Sequence, residues 1–486
     1  MSADEIDPKP EDKDKSASRW LAMLKDAEQA DRYYHEKVDG IDKLYADLKK
    51  LSTRGGDRQL QLLWANLEVM KPTVYSRPPQ PVVQPRFKDR KELPRKAGDV
   101  MERALISDVE ADDLHETLLL ARDDLCVAAR GVVWLTDGER DGVPVAMAEH
   151  LERPDWRCEP ARKWSEVGWV ARSAFMDRRE VKDRFKEVPP TMKFEKRKVG
   201  DFMGEKKARV WEIWHKADNC VVWVSEDVED VLDKREPHLK LTRFFPCPKP
   251  AYGTLERGTL TPIPDPVYYL DQLEEINDAT ARIAALTDAL QMRGFYPAGA
   301  ADVAEAIETA FKTLDPRAMM TPVNSLSSLG PNQSLKDAIV WLPVIEVMQT
   351  IQGLIEIRRQ LIEDVYQITG LSDIMRGSTD PNETLGAQEL KSQYGSVRVR
   401  EKQAEMQRLS RDVIRLKGEI MAENVPIDAL LEMAQVDDIP RKADIEKQAQ
   451  QIQQQCQQQI MQLVQQAMQA QPQMPPQGQP QGMPMQ

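Results

Sequence analysis

Apolar residues recur every three or four positions over most of the chain, and the places where that period fails divide it into parts. Trp20, Leu21, Leu24 and Ala27, then Ile41, Leu44, Tyr45 and Leu48, predict helix after a polar, charged start that is expected to be disordered to about Ser18. The run QLLWANLEVM predicts a second helix that Pro72 kinks or ends, and the prolines from Pro78 to Pro85 hold the chain extended after it. A third helical stretch is read from Lys91 to Ala129. At Gly131 the period shortens. GVVWLTDGERDGVPVAMAEHL reads as a hairpin turning at Gly138 to Gly142, and ARVWEIWHKADNCVVWVSED as another, with Trp211, Ile213, Val222 and Trp223 as strand formers. The tryptophans are read as sheet core rather than as a platform for stacking bases.

Helical spacing returns after a connector punctuated by proline and glycine, FFPCPKPAYGTLERGTLTPIPDP. From Asp265 to Arg293 the stripe runs Leu270, Leu273, Ile276, Thr280, Ile283, Thr287, Leu290, which suits packing against neighbouring helices. Gly294 to Ser334 interrupts it with a mixed segment holding the short helical run DVAEAIETAFKTL and Pro316, Pro322 and Pro331. A second long helix is read from about Leu335 to Ile368, with Ile345, Met348, Ile351, Ile355, Ile362 and Val365 on one stripe and Pro343 marking its first turn or a kink. Gly370 is read as its end. Asp380-Pro381-Asn382-Glu383 then has the form of a helix start, with Asp as N-cap, Pro at the first helical position and Glu as capping-box partner. The loop between is Leu371 to Asp380, and the helix after it runs to about Asn424. Gly386 and Gly395 inside that helix each cost about 1 kcal/mol against Ala, which suggests bends or close contacts. Beyond Pro440, Ile445, Ala449, Ile452, Cys456, Ile460, Leu463 and Ala467 form one narrow apolar stripe among glutamines. A single chain buries such a stripe poorly, so self-association in a coiled coil or helical barrel is expected. A Pro/Gln tail, expected to be disordered, follows.

Composition narrows the function classes. At 486 residues with 67 Lys and Arg against 80 Asp and Glu, the net charge is -13, so no broad attraction to nucleic acid or anionic membrane is expected. Five scattered cysteines without a C-x-x-C pair read as free, mostly buried thiols in a reducing compartment. The N-terminus lacks the apolar core of a signal peptide, and no run of about 18 uncharged apolar residues predicts a membrane span. His35, His115, His150, His215 and His238 lie far apart with no ligand spacing, and neither a P-loop nor a G-x-S-x-G elbow occurs. Asp108, Asp112 and Glu116 would share one face of the third helix, where they could hold Mg²⁺ for phosphoryl chemistry, or simply be solvated. No enzyme, cofactor or metal is expected.

Four stretches carry a resemblance. LLWANLEVMKPTVYSRPPQPVV, CEPARKWSEVGWVARSAFMDRREVKDRF, the connector running into LDQLEEINDATARIAALTDAL, and YQITGLSDIMRGSTDPNETLGAQELKSQYGS with the helix after it are similar to the portal proteins of tailed phages and prophages of Gram-negative bacteria. The resemblance spans roughly Trp64 to Asn424. It implies an α+β, mainly helical subunit of a portal-type fold that assembles as a ring of about twelve copies. By that resemblance 1-18 is a disordered N-terminus, 19-264 the wing, 265-293 and 335-370 the stem helices, and 294-334 the clip. The tunnel loop is then 371-380, the long wing helix 381-425, the crown or barrel helix 426-470 and the disordered tail 471-486.

The implied function is non-enzymatic: a channel at one capsid vertex for packaging and ejecting double-stranded DNA. The implied partners are the terminase large subunit, a head-completion or tail adaptor, and the major capsid and scaffolding proteins. The implied location is the virion, after assembly in the host cytoplasm, with no membrane contact. Ser372, Asp373, Arg376, Ser378 and Thr379 would be the tunnel loop's contacts with DNA, Arg376 serving equally as a salt bridge to a neighbouring subunit. Asp271, Glu274, Glu275, Asp278 and Arg282 would face the channel from the stem, their acidic excess keeping DNA from binding tightly. Asp302, Glu305, Lys312 and Arg317 would meet the clip partner, and Ile445, Ile452, Ile460 and Leu463 would self-associate in the crown. Two other readings stand beside it: a coiled-coil oligomeric adaptor that conducts no DNA, and a metal-dependent nuclease built on Asp108, Asp112 and Glu116.

Overall fold

The structure, a computed structural model, describes residues 16-46, 59-84, 92-140, 143-199, 202-289, 294-295, 340-341, 344-370, 397-425 and 430. Over these the chain is a mixed α+β protein. Its first helix, α1 (Ser18–Ala46), buries Trp20, Leu24, Ala27, Tyr34, Val38 and Ile41, the three-and-four spacing read from the sequence. Helix α2 (Leu62–Val74) contains Pro72 in its last turn and ends two residues later, after which the chain is irregular to residue 84. The expected third helix is two. Helices α3 (Glu92–Ala111) and α4 (Leu114–Ala128) meet at Asp113, whose backbone is left-handed at φ 46° and whose carboxylate accepts the Glu116 N–H at 3.4 Å. An N-cap with Glu three residues on restarts a helix, and that signature lies in the sequence DLHE.

The strands follow in a meander. Strands β2 (Val133–Arg140) and β3 (Val143–His150) pair from Val133↔His150 to Arg140↔Val143. The pairing therefore runs past the turn expected to begin at Gly138: that glycine lies inside β2 opposite Val145, where the Met147 sulfur would collide with an added Cβ. The larger sheet has β4 (Trp156–Cys158), β5 (Trp169–Met176), β7 (Phe202–His215), β8 (Cys220–Val224) and β9 (Asp233–Arg235) in that order. Strand β6 (Glu195–Val199) pairs with the first part of β7, where β5, after Met176↔Ala208, no longer does. Between β5 and β6 runs the short helix α5 (Arg178–Phe185), started by a full capping box of Asp177 and Glu180.

Both faces of this sheet are covered. Trp169, Trp211, Ile213 and Val222 pack under the first half of α1. Trp156, Val170, Trp214, Val221 and Trp223 belong to the main core, which also takes in α2, α3, α4 and the last long helix, α8 (Val397–Asn424). The tryptophans of both hairpins are thus core, as read from the sequence. Two close approaches fix this packing. At Gly131, in the two-residue strand β1 (Arg130–Gly131), a Cβ would stand 2.2 Å from the Ala121 carbonyl oxygen. Buried Arg130 lies between the Tyr34 and Trp156 rings, 4.7 and 4.8 Å from their centroids, and pairs with Asp31 at 2.7 Å. Cys126, Cys158, Cys220 and Cys247 are free thiols, and burial pushes Cys126 up to about 11 and Cys158 up to about 12.

Strand β10 (Ala251–Tyr252) pairs with β1, and β11 (Thr254–Leu255) with β12 (Pro262–Ile263). A 3₁₀ turn, Asp265–Tyr269, with Pro266 at its start, leads into α6 (Leu270–Ala289), so the α-helix begins with the apolar stripe at Leu270, five residues after the expected start at Asp265. Strands β13 (Gly294–Phe295) and β14 (Val340–Trp341) pair antiparallel, and α7 spans Val344–Thr369. The expected helical start near Leu335 is corrected by that pairing: at Val340 and Trp341 the backbone is strand. Gly370 ends α7 at φ 70°, donating its N–H to the Tyr366 carbonyl at 2.9 Å, the left-handed termination glycine accepts readily. No helix among the described residues is long and apolar enough to cross a membrane.

Candidate functional site: a projecting helical hairpin

Helices α6 and α7 pack along each other, and the β13–β14 pair brings the end of one to the start of the other, so they form an antiparallel hairpin. Its root is apolar and shared with the main core: Tyr269 from the 3₁₀ turn, Leu273 and Ile276 from α6, and Val365 from α7, with Leu361, Ile362, Tyr366 and Ile368 packed beside them. At 20 residues α6 is about 30 Å long, so the far end stands well clear of that core. The threonines in the α6 stripe cost little, because Thr280 and Thr287 donate their hydroxyls to the Ile276 and Ile283 carbonyls at 2.7 Å.

The two helices show different faces to solvent. Asp271, Glu274, Glu275, Asp278 and Arg282, spaced three, one, three and four apart, are all exposed. The structure therefore gathers these five sequence candidates on one outward face of α6, where four carboxylates outnumber one guanidinium. On α7 the predicted apolar stripe is buried only at its root. Val365 is fully enclosed and Ile351 and Ile362 half-buried, but Ile345 is 73% exposed, Met348 48%, Ile355 42% and nearby Ile357 56%. Ile345, Met348 and Ile355 keep the spacing of a single helix face. Single exposed apolar residues need no explanation, but a stripe of them on a projecting helix is a surface awaiting cover.

Where the hairpin root meets the last helix there is a cavity of about 1210 Å³ that the sequence did not suggest, lined in part by Asn66, Tyr252, Asp265, Tyr269, Lys402 and Arg408. Its charges are internally matched. Lys402 Nζ lies 2.6 Å from Asp265 Oδ2, and Arg408 bonds Glu405 at 2.8 Å and the Lys249 and Pro250 carbonyls at 3.0 and 2.8 Å. Such pairing ties α8 to the connector before α6 and leaves the cavity without a concentrated charge.

Two of the carboxylates considered for metal chemistry, Asp108 and Asp112, do other work. Lys417, fully buried in α8, donates to Asp108 Oδ2 and Asp112 Oδ2, each at 2.7 Å, and to the Ala146 carbonyl at 2.5 Å. Asp112 also accepts the Ala148 N–H at 2.8 Å. Glu116 lies beyond the Asp113 break, exposed on the next helix, so the three do not share one helix face. Among the described residues no three side chains of metal-binding type converge. Sequence reasoning missed Lys417 because RLKGEI reads as an ordinary solvated turn of helix.

Ser372, Asp373, Arg376, Ser378 and Thr379, the clip candidates Asp302, Glu305, Lys312 and Arg317, and Ile445, Ile452, Ile460 and Leu463 lie outside the described residues, as do the helix start at Asp380 and the glycines Gly386 and Gly395. The chain matches no protein-family model and no curated protein.

Proposed function

We propose that the chain is a subunit of a portal-type ring in which the α6–α7 hairpin is the stem, conducting double-stranded DNA without chemistry of its own. The observation that carries the reading is the pairing of an acidic face on α6 with an uncovered apolar stripe on α7, on one hairpin projecting from the body. In a ring the α7 stripe packs against the hairpin of the next copy, a heterologous contact that closes by rotation. The acidic face of α6 is then free to line a bore. A bore that repels phosphates holds no DNA in place, which suits a conduit. The likeness of four sequence stretches to portal proteins supports the same reading, and assigns the docking of terminase, head-completion and tail proteins to 294-334.

End-on electron micrographs of the purified protein test it. The expected result is a ring of about twelve subunits around a bore wide enough for a duplex, about 20 Å. A chain truncated after Pro440 should still form rings, because the stem stripe remains. Monomers under all salt and protein concentrations would refute the proposal. Rings lost on that truncation alone would instead favour an adaptor held together by its C-terminal helix.

A further inference from the structure

Charge is distributed unevenly along this acidic chain. Between residues 178 and 209 there are twelve Lys and Arg against six Asp and Glu, in a protein whose net charge is -13. This stretch is α5 and the β6–β7 ribbon. The two are joined where the Arg178 guanidinium lies 5.0 Å from the centre of the Phe194 ring, next to the start of β6. Arg178, Arg179, Lys196 and Lys206 are all exposed.

The ribbon's register adds a second observation. Lys196 stands directly opposite Lys206, and a register shift follows at once between Lys196 and Lys198. Two like charges facing each other across an antiparallel pair destabilise it. Glu195 faces Lys207 instead, and the carboxylates of Asp177 and Glu180 are occupied by backbone N–H groups at 2.6 to 2.8 Å in the capping box. Neither Lys196 nor Lys206 has an ion-pair partner among the described residues. A cation pair kept against its own repulsion is relieved by an external anion.

We infer that the face formed by α5 and the β6–β7 ribbon docks the phosphate backbone of a nucleic-acid duplex. The acidic remainder of the chain does not prevent this, because charges beyond about 8 Å are largely screened at physiological salt. A single strand fits less well. Such sites stack bases on exposed aromatic rings, and the described aromatics of this face, Phe185 and Phe194, are half-buried beneath Arg184 and Arg178. The contact is made by one chain and is independent of ring formation, so it stands or falls separately from the portal reading.

The test is fluorescence anisotropy of a short mixed-sequence DNA duplex with the full-length protein over a series of salt concentrations, comparing the native chain with K196Q/K206Q. Each phosphate contact contributes about 0.9 to the slope of log affinity against log salt, so the double variant should lose about 2 from that slope. The variant should also melt no lower than the native protein, since it removes a repulsion, and K25Q, an exposed cation on α1, should leave the slope unchanged. No duplex binding at low salt, or a slope unmoved by K196Q/K206Q, overturns the inference. Binding of polyglutamate in preference to the duplex overturns it too, and points to an acidic polypeptide as the occupant.

Discussion

Replacing Lys417 by Met keeps most of the side-chain volume and removes one buried charge. Two carboxylates then face each other without their cation, Asp108 with no exposed side-chain area and Asp112 with 6%. Breaking a buried pair in this way costs roughly 3–5 kcal/mol. A second route gives a similar figure: the site relieves itself by taking up a proton, and protonating an ordinary carboxylate of pKa about 3.9 at pH 7 costs about 4 kcal/mol. At pH 5 the same protonation costs about 1.5 kcal/mol, so the penalty of K417M should shrink by more than half on acidification. Urea unfolding followed by tryptophan fluorescence at both pH values measures this. Replacing all three charges in D108L/D112N/K417M should recover most of the loss, since the amide introduced by D112N keeps an acceptor for the Ala148 N–H. A penalty for K417M below about 1 kcal/mol at pH 7, or one equal at the two pH values, would refute the claim that this lysine neutralises a buried acidic pair.

Three further outcomes are expected. I345E/I355E places charge on the exposed α7 stripe, so size-exclusion chromatography should show loss of self-association with unchanged far-ultraviolet circular dichroism; rings that persist would remove the stripe from the interface. His35 is held down to about 4 by burial first, then by Arg130, Arg153 and Arg157, and its Nδ1 accepts a bond from Arg153 at 2.9 Å. Its folded value lies below the unfolded value of about 6.5, so its contribution is full above pH 6.5 and is lost as pH falls toward 4, on the order of 2 kcal/mol once solvent screening at this partly exposed ring is discounted; H35N should flatten that part of the stability profile. G131A drives a methyl into the Ala121 carbonyl oxygen and should lower stability by about 1–3 kcal/mol, with protease susceptibility rising at the α4–β1 junction.

The helices were legible because their apolar spacing is a direct record of which face is buried, as Trp20, Leu24 and Ala27 show. Strand β5 was not. WVARSAFM is covered on both sides at its start, so the alternation that marks a half-exposed strand is missing. The break at Asp113 was legible and overlooked: Asp with Glu three residues on is a start signal even inside an apparently continuous helix. Lys417 could not be found from one sequence, since its partners lie about 300 positions away. Half of the candidate hairpin was readable for a similar reason. Periodicity located the α7 stripe, but only the fold separates its enclosed end at Val365 from its bare end at Ile345.

That difference between the two ends makes the α6–α7 hairpin a cantilever. Among the described residues it is clamped by Leu273, Ile276 and Val365, and the β13–β14 pair lies at its other end. Over an arm of about 30 Å, a tilt of about 5° at the clamp carries the far end through about 3 Å, roughly half a helical turn. Whatever grips the far end of the hairpin thus has a mechanical handle on the cavity between its root and α8, and a load applied there is felt in the core.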